Sequence, residues 1–261
     1  MRGFAFALAI SLGSTGAAGA PQRVASLNLC TDELLLTLAA PGQIVSVTHL
    51  AQSPAETTLW RQARRYRRND GSLLSVATLK PDLVLTMGGG AKDRVGIAGR
   101  LGMPTLDLPY PQRLGDIEQS LVRVAAALGR PGAATAALGR LAALRRTAPP
   151  RLADTIWLGG GGRSVAASGL AAEWMALAGM RQRPLRGDRV SLEQLLTRPP
   201  AILLRSDYRS GEYSGEQRWL SHPLAKGTSR SQSLATDGRL WTCMGPLMAG
   251  EVLRLRRAAA R

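Results

Sequence analysis

The chain has 261 residues, of which 45% are hydrophobic, and this content excludes an intrinsically disordered protein. Its formal net charge of +16, from 34 lysines and arginines against 18 acids, would suit an anionic partner. The arginines are scattered, however, and the two phenylalanines, Phe4 and Phe6, both lie near the N-terminus. A basic stripe with aromatic stacking residues is therefore missing. This excludes a nucleic-acid partner, and we interpret the charge as a field that favours anionic ligands.

The N-terminal segment has the three parts of a secretory signal peptide. Arg2 supplies the positive start, residues 4–12 form an apolar run, and residues 18–20 form a small-residue cleavage site. The run is much shorter than the roughly 20 residues that cross a bilayer, so it predicts export rather than an anchor. We expect cleavage after Ala20 and a soluble protein in the periplasm. A lipoprotein anchored through Cys30 is disfavoured, because the residue before this cysteine is bulky.

Strand-like and helix-like segments alternate through the first half of the chain. The helix at 31–38 carries acids in its first turn, where the helix dipole favours negative charge. The alternation predicts a parallel sheet with helices on both faces. The predicted elements are strands at 23–28, 44–47, 83–87 and 105–108, helices at 31–38, 54–65 and 93–101, and a glycine loop at 88–90.

A break at residues 109–111 is followed by apolar residues three or four positions apart, which predict one long helix at 113–128. A second helix is predicted at 133–146. The alternation of strands and helices then resumes to the end of the chain. Its predicted elements are strands at 155–158 and 239–242, a strand that ends at Leu204, and helices at 170–178, 216–220 and 246–257.

Residues 73–85 and 191–203 are similar segments. Each has the pattern of a short helix, a turn marked by proline and an apolar strand. The repetition predicts two similar lobes, and a cleft between lobes is where small ligands are usually held. We therefore predict an α/β fold of two Rossmann-like lobes with central, mostly parallel sheets, joined by a single long α-helix. The predicted parts are a signal peptide at 1–20, an N-terminal lobe at 21–111, a linker helix at 112–130 and a C-terminal lobe at 131–261.

Three short motifs stand at fixed places in this layout. The mature start reads Arg23-Val24-Ala25-Ser26-Leu27, the glycine loop follows Lys80-Pro81-Asp82-Leu83-Val84-Leu85, and the last helix follows Leu240-Trp241-Thr242-Cys243. With one helix between the lobes, the chain resembles the periplasmic substrate-binding proteins of ABC importers. It looks most like the subgroup for ferric siderophores, haem and cobalamin.

The resemblance implies a binding protein rather than an enzyme, without a cofactor of its own. It implies a protein, which we expect to be monomeric, that captures a metal chelate and delivers it to an ABC permease in the inner membrane. A ferric siderophore is the first candidate, with cobalamin or haem as alternatives. Such proteins commonly pair a glutamate on each lobe with permease arginines. Glu193 matches the second-lobe position, whereas Leu74 stands at the first-lobe position and Asp70 is a possible substitute.

Ligands of open parallel sheets lie beyond the carboxyl ends of the strands, so the loops after the strands supply the candidate contacts. The predicted ligand-binding residues are Cys30, His49, Arg68, Met87, Gly88, Arg205, Asp207, Tyr208, Trp241 and Cys243. Guanidinium groups match carboxylate, hydroxamate and catecholate oxygens. We therefore expect one or two of six loop arginines to face the ligand, with Arg205 as the first choice. The six are Arg67, Arg68, Arg186, Arg189, Arg205 and Arg209.

Cys30 and Cys243 are the two cysteines of the chain, and both are predicted at strand-to-helix turns. Three states stay open: buried free thiols, a disulfide that ties the lobes together, and contact with a ligand or a metal alongside His49 or Met87. No other direct metal site is expected. The glycine runs at 88–90 and 159–162 lack the spacing of phosphate-binding loops, so we interpret them as room for a bulky ligand.

Two other functions remain open. The first is an extracytoplasmic thiol or metal enzyme that uses Cys30 and Cys243, although no serine elbow, paired-acid site or Cys-His motif accompanies them. The second is a ligand-sensing adaptor, built on the same scaffold, that signals to a membrane partner.

Overall fold

The computed structural model describes residues 19–88, 92–212 and 214–260. The predicted signal peptide lies almost wholly outside these residues, so cleavage after Ala20 stays a prediction. The described residues form two parallel sheets with flanking helices, which confirms the predicted α/β class with two lobes. Within the described ranges, no helix is long and apolar enough to span a membrane.

The first lobe is built on five strands: β1 Val24–Ser26, β2 Ile44–Thr48, β3 Arg67–Asn69, β4 Leu83–Met87 and β5 Thr105–Leu108. They are all parallel and lie in the order β3-β2-β1-β4-β5. The central strands are buried on both faces, as in other parallel sheets, because helices cover both sides. The helices of this lobe are α1 Leu29–Leu38, α2 Trp60–Ala63, α3 Leu74–Ala77 and α4 Lys92–Arg100.

The connection between the sheets contains α5 Leu114–Ala127 and α6 Thr135–Arg146. α5 is amphipathic and buries Ile117, Leu121 and Val124, so a helix stands where the sequence predicts one. It contacts α1 of the first lobe, and these contacts belong to a hydrophobic cluster that continues into the second lobe. The lobe boundaries, and the action of α5 as the single rigid bridge, stay predictions.

The second lobe repeats the design with four parallel strands: β6 Ala153–Leu158, β7 Met180–Gln182, β8 Ile202–Ser206 and β9 Gln232–Thr236. Their order is β7-β6-β8-β9. The helices are α7 Leu170–Leu177, α8 Leu192–Thr197, α9 Gly215–Leu220, α10 Pro223–Lys226, α11 Leu240–Cys243 and α12 Met248–Ala259.

α5 is anchored to the second lobe at its first residue. The Glu173 carboxylate on α7 accepts the Leu114 backbone N–H at 2.7 Å, which satisfies a donor that the helix itself leaves free. A carboxylate at this position is also favoured by the helix dipole. The contact therefore fixes the start of α5 against the second lobe.

The predicted strand at 239–242 is wrong, because this segment forms α11 and the edge strand β9 lies before it. The Asp237 carboxylate accepts the backbone N–H of Arg239 at 3.1 Å and pairs with the Arg239 guanidinium. This local turn starts a helix in a sequence whose apolar residues would also suit a strand.

The predicted helix at 54–65 is also wrong for most of its length. Residues before Trp60 form successive turns, and α2 covers one helical turn only. The Thr57 hydroxyl donates to the Glu33 carboxylate on α1 at 2.9 Å, so tertiary contacts hold this segment against the lobe. Strands β3 and β7 were not predicted, because three residues are too few to show a period.

Candidate ligand-binding groove

The carboxyl ends of both sheets border one groove between the lobes. On one side a hollow of about 350 Å³, called here the first-lobe hollow, is lined by loops that follow β1, β2, β3 and β5. On the other side the second-lobe hollow, of about 480 Å³, is lined by loops that follow β6, β8 and β9. Thr242 lines both hollows, so they are adjacent halves of one groove. This is the place where ligands of parallel sheets are found.

Ten groove-lining residues matter for the chemistry of the site. Those of the first-lobe hollow are Asn28, Cys30, His49, Glu56, Asp70 and Tyr110. Those of the second-lobe hollow are Trp157, Tyr208, Arg209 and Trp241. The groove thus combines aromatic rings with hydrogen-bonding and charged groups, which is the usual composition of a small-molecule site.

A disulfide bond between Cys30 and Cys243 borders the groove. The two cysteines are 213 residues apart in sequence, and their Cα atoms are 5.2 Å apart. Cys30 lies in the first turn of α1, whose N-cap residue Asn28 accepts the Cys30 backbone N–H at 2.8 Å, and Cys243 ends α11. The bond ties the lobes together, which is one of the three states that the sequence leaves open.

The bonded state corrects the two other interpretations of the cysteines. Cys30 and Cys243 are not free thiols and do not offer thiolates to a ligand, to a metal or to a catalytic mechanism. Cys243 also stands at the end of a helix rather than at a helix N-terminus. Among the described residues, no group of three or more His, Cys, Asp or Glu side chains is placed to hold a metal ion.

Two tryptophans form an apolar wall of the second-lobe hollow. The ring centroids of Trp157 and Trp241 are 5.7 Å apart and their planes are tilted by 56°. Trp241 is buried and its Nε1 donates to the Thr236 hydroxyl at 2.8 Å, so its orientation is held. Gly159 follows β6, and a Cβ there would lie 2.7 Å from the Trp157 ring. This glycine therefore makes room for the wall.

Gly160 and Gly162 of the run at 159–162 pack closely within the lobe, and Gly160 also lines the second-lobe hollow, so the interpretation of the run as room for a ligand stays a prediction. A Cβ on Gly162 would lie 2.6 Å from the Val190 carbonyl oxygen, and one on Gly160 would lie 3.2 Å from the Glu216 Cβ on α9. Gly162 also has a φ of +73°, which side chains rarely adopt. These glycines allow close packing against α9 and against the backbone at Val190.

Gly88 has a similar packing role beside the first-lobe hollow. Its φ is +115°, and a Cβ there would lie 2.5 Å from the Tyr110 ring. Tyr110 is more than half exposed and lines the hollow, so Gly88 acts by making room for this ring. Gly89 and Gly90 lie outside the described residues.

A polar contact crosses the groove between Glu56 of the first lobe and two residues of the second. The Glu56 carboxylate accepts the Tyr208 hydroxyl at 2.9 Å and forms an ion pair with Arg209. We call Glu56, Tyr208 and Arg209 the clasp. Burial and the hydrogen bond to Glu56 raise the pKa of Tyr208, so its hydroxyl stays a donor. Beside the clasp, Arg239 donates to the Pro54 carbonyl oxygen at 2.9 Å.

Two acids in the first turns of α1 are buried behind Cys30. Burial raises the pKa of Asp32 and of Glu33 to about 7 each, although both accept hydrogen bonds. Asp32 accepts the Thr48 backbone N–H at 3.1 Å, and Glu33 is raised further by the charges of Asp32 and of Asp237 in the second lobe. The sequence pattern explains these acids by the helix dipole alone, and their burial is a finding of the structure.

The predicted contacts divide into three groups. Those that line the groove are Cys30, His49, Tyr208 and Trp241. Arg205 and Asp207 line a smaller adjoining hollow of about 220 Å³, and Cys243 is buried in the disulfide. Those that line none of these hollows are Cys243, Arg68, Met87 and Gly88. Arg68 is exposed on edge strand β3, and Met87 packs against the core.

Of the six loop arginines, Arg209 lines the groove and Arg205 the adjoining hollow, and contact of either with a ligand stays a prediction. Sequence reasoning missed Glu56, Trp157 and Thr242. Glu56 and Thr242 were hidden by wrongly predicted elements, a helix and a strand. Trp157 carried a usable signal, because it is the penultimate residue of a predicted strand just before a glycine run.

The predicted docking residues lie on the surface. Glu193 is exposed on α8, and Leu74, at the matching first-lobe position, is 79% exposed on α3. Asp70 lines the first-lobe hollow and accepts the Ser72 backbone N–H at 2.9 Å. Hydrogen bonds from Ser72 lower the pKa of Asp70 to about 2, so this carboxylate is ionised at neutral pH.

No protein-family model and no curated protein sequence matches the chain. Solved structures do match it over nearly their full length. The periplasmic haem-binding protein RhuT from Roseiflexus sp. RS-1, in apo form, is 22% identical, covers 92% of this chain and 99% of its own, and gives a TM-score of 0.65. The periplasmic vitamin B12 binding protein BtuF of Vibrio cholerae is 19% identical, with 92% and 97% covered and a TM-score of 0.65.

A third structure is the siderophore-binding protein BauB, bound to a complex between two molecules of acinetobactin and ferric iron. It is 14% identical, with 94% of each chain covered and a TM-score of 0.67. The fold is therefore that of periplasmic haem- and vitamin B12-binding proteins and of a siderophore-binding protein, and the predicted resemblance to such binding proteins is confirmed at the level of the fold.

Proposed function

We propose that the chain is a periplasmic solute-binding protein that captures a metal chelate between its lobes and delivers it to an ABC permease. One observation carries the proposal: loops at the carboxyl ends of two parallel sheets line a single groove, with Thr242 shared by its two halves. The binding proteins for haem, vitamin B12 and a ferric siderophore share this fold over almost the whole chain.

The size and lining of the groove support a chelate as the ligand. Its hollows of about 350 and 480 Å³ fall in the range of small-molecule sites, which is about 300–1,000 Å³. The wall formed by Trp157 and Trp241 offers apolar contact to a flat conjugated group of a ligand. The Arg209 guanidinium can donate hydrogen bonds to carboxylate or catecholate oxygens. We propose a ferric siderophore first, with cobalamin or haem as alternatives.

Haem has specific support from the first-lobe hollow. His49 and Tyr110 both line it and both are exposed, and imidazole and phenolate are side chains that ligate haem iron in proteins. A haem complex would therefore show an absorbance spectrum that changes on replacement of one of these residues. A siderophore complex, whose iron is held by the chelator, would not.

The proposed partner is a permease in the inner membrane, reached by the protein as a monomer in the periplasm. Glu193 is exposed on α8 and so is free to meet a basic surface of that partner. In the first lobe Asp70 is the proposed substitute for the missing glutamate, since its carboxylate is ionised at neutral pH and exposed. Leu74 would then add an apolar contact between the two proteins.

We propose that the protein is not an enzyme. The disulfide between Cys30 and Cys243 removes the nucleophile of the thiol-enzyme alternative. The adaptor alternative uses the same groove but delivers no ligand. A gene deletion separates it from the proposed function, since loss of chelate uptake is expected for a transport protein and normal uptake for an adaptor.

Binding of defined chelates tests the proposal. Ferrichrome, ferric enterobactin, hemin and cyanocobalamin are each titrated into the purified mature protein while tryptophan fluorescence is followed. We expect one chemical class to quench the emission with saturation, because Trp157 and Trp241 line the groove. Native mass spectrometry of the same protein should show one bound chelate. A flat response to all four, with no added mass, would refute the proposed function.

A further inference from the structure

We propose that the clasp is a reversible gate. When no ligand is bound, the Glu56 carboxylate occupies the position on Arg209 that an anionic group of the ligand takes in the complex. This inference rests on the proposed function, and it names the chemical class of the chelate as anionic. The ligand supplies carboxylate, catecholate or similar oxygens, which replace Glu56 as the acceptor of the Arg209 N–H groups. Glu56 is then released from the second lobe.

The position of the clasp supports this role. Glu56 lines the first-lobe hollow, whereas Tyr208 and Arg209 line the second-lobe hollow. The contacts between them therefore stand on the border of the two halves, and a ligand that fills both halves meets the clasp. Glu56 is only 5% exposed, so its charge is compensated mainly by Arg209 and Tyr208.

The charges of the groove support it as well. Two arginines line the second-lobe hollow, and both are paired with glutamates: Arg163 with Glu216 at 2.8 Å, and Arg209 with Glu56 and Glu212. Within the second-lobe hollow, an anionic ligand finds a free guanidinium only when one of these carboxylates leaves. Glu56 belongs to the opposite lobe, so separation of the clasp removes it from Arg209, whereas Glu212 stays in the same loop.

The backbone of the clasp is consistent with a contact that is made and broken. Arg209 has a φ of +52°, a conformation that is uncommon for residues other than glycine, asparagine and aspartate. Such conformations persist where surrounding contacts impose them and they cluster at ligand clamps and switches. The disulfide lies elsewhere on the groove border and joins the lobes covalently, so the clasp is the reversible contact of the two.

Three variants test the gate. Glu56→Gln removes the carboxylate that pairs with Arg209, and Arg209→Gln removes the guanidinium that would bind the anionic group of the ligand. Glu118→Gln is the control, because it breaks a Glu–Arg pair with Arg145 outside the groove. Wild type and each variant are titrated with hemin and ferric enterobactin, which are anionic, and with cyanocobalamin, which has no net charge, and tryptophan fluorescence is followed. Hydrogen exchange of residues 54–59, measured with and without ligand, reports whether the clasp is closed.

We expect E56Q to bind the anionic chelate about tenfold more tightly than wild type and R209Q to bind it about tenfold more weakly, since a hydrogen bond to a charged group is gained or lost. E118Q should match wild type. Residues 54–59 should exchange faster in E56Q and R209Q than in wild type or E118Q, and faster in wild type saturated with the anionic chelate.

The outcomes separate this inference from the proposed function. If an anionic chelate binds wild type and E56Q with equal affinity, or if exchange at 54–59 is the same in all four proteins, the gate is refuted and the binding function stands. If cyanocobalamin alone binds, the gate is likewise refuted and the binding function stands. If neither these three chelates nor ferrichrome binds any of the four proteins, the inference and the proposed function both fail.

Discussion

Cys30 at the start of α1 and Cys243 at the end of α11 form a covalent link between the lobes beside the groove. A crosslink over 213 residues of chain restricts the unfolded state strongly, because few unfolded conformations bring such distant residues together. It also limits how far the lobes separate. If the protein binds a ligand as proposed, we therefore expect entry by smaller movements, such as opening of the clasp.

Replacement of both cysteines by serine should destabilise the protein by about 2–5 kcal/mol, since the unfolded chain regains the freedom that the crosslink removes. Urea unfolding followed by circular dichroism measures the change. Dithiothreitol should lower the urea midpoint of wild type and leave that of the double variant unchanged. Equal midpoints for the two proteins without reductant would contradict the prediction.

Stability should fall as the pH rises from about 4 to 7. In the folded protein burial raises the pKa of Asp32 and Glu33 to about 7, whereas in the unfolded chain they ionise near 3.8 and 4.5. Between these values the folded state holds protons that the unfolded state has lost, so the free energy of unfolding decreases with pH. The stabilisation is full below about pH 4, and roughly 2–4 kcal/mol should be lost by pH 7 for each of the two acids.

Asp32→Asn and Glu33→Gln should each flatten this pH profile, because the replaced side chain no longer exchanges a proton. Urea midpoints at pH 4, 5.5 and 7 give the slope. Glu118→Gln, which changes a surface acid on α5, serves as the control and should keep the wild-type slope. Wild-type slopes in both D32N and E33Q would show that the two acids are already ionised in the folded protein.

Trp157 should contribute more to ligand affinity than Trp60, a tryptophan outside the groove. Trp157→Ala removes half of the aromatic wall and should weaken binding of the chelate about tenfold, since a stacked ring loses about 1–2 kcal/mol of contact. Trp60→Ala is the matched control, because Trp60 lines neither half of the groove and stacks with Arg61 and Arg64. Equal losses of affinity in both variants would argue against the wall as a ligand contact.

Glu193 should affect delivery of the ligand and leave its capture unchanged. Glu193→Arg reverses the charge on the exposed face of α8 and should reduce cellular uptake of the chelate at least about fivefold, because like charges then meet at a basic permease surface. The affinity of the purified variant for the chelate should equal that of wild type. Normal uptake by E193R cells would mean that docking does not use this residue.

The fold class could be predicted from the sequence because the patterns that indicate it are local. Buried parallel strands read as apolar runs, as in β4, and the amphipathic period of α5 spans almost four turns. The three-residue strands β3 and β7 carry no such period, and their pairing depends on the neighbouring strand. They became visible only with the sheets assembled.

The loops at the strand ends gave part of the groove. His49 and Tyr208 follow strands directly, so the general rule for parallel sheets was enough to find them. Arg68 was wrongly placed in the groove because its own strand was not recognised. Glu56 was missed because its neighbours form turns that depend on contacts with other parts of the lobe, including the Thr57 bond to Glu33.

By itself the sequence determined the two α/β halves, the helix between them and the end of each sheet that borders the groove, since hydrophobic period and chain order encode these features locally. Only the tertiary structure decided that Cys30 meets Cys243, that Glu56 reaches Arg209 and that Trp157 packs against Trp241. Each pair joins residues between 84 and 213 positions apart in the chain. The first two contacts depend on how the lobes pack against each other and the third on how the second lobe assembles, and no local pattern records either kind of packing.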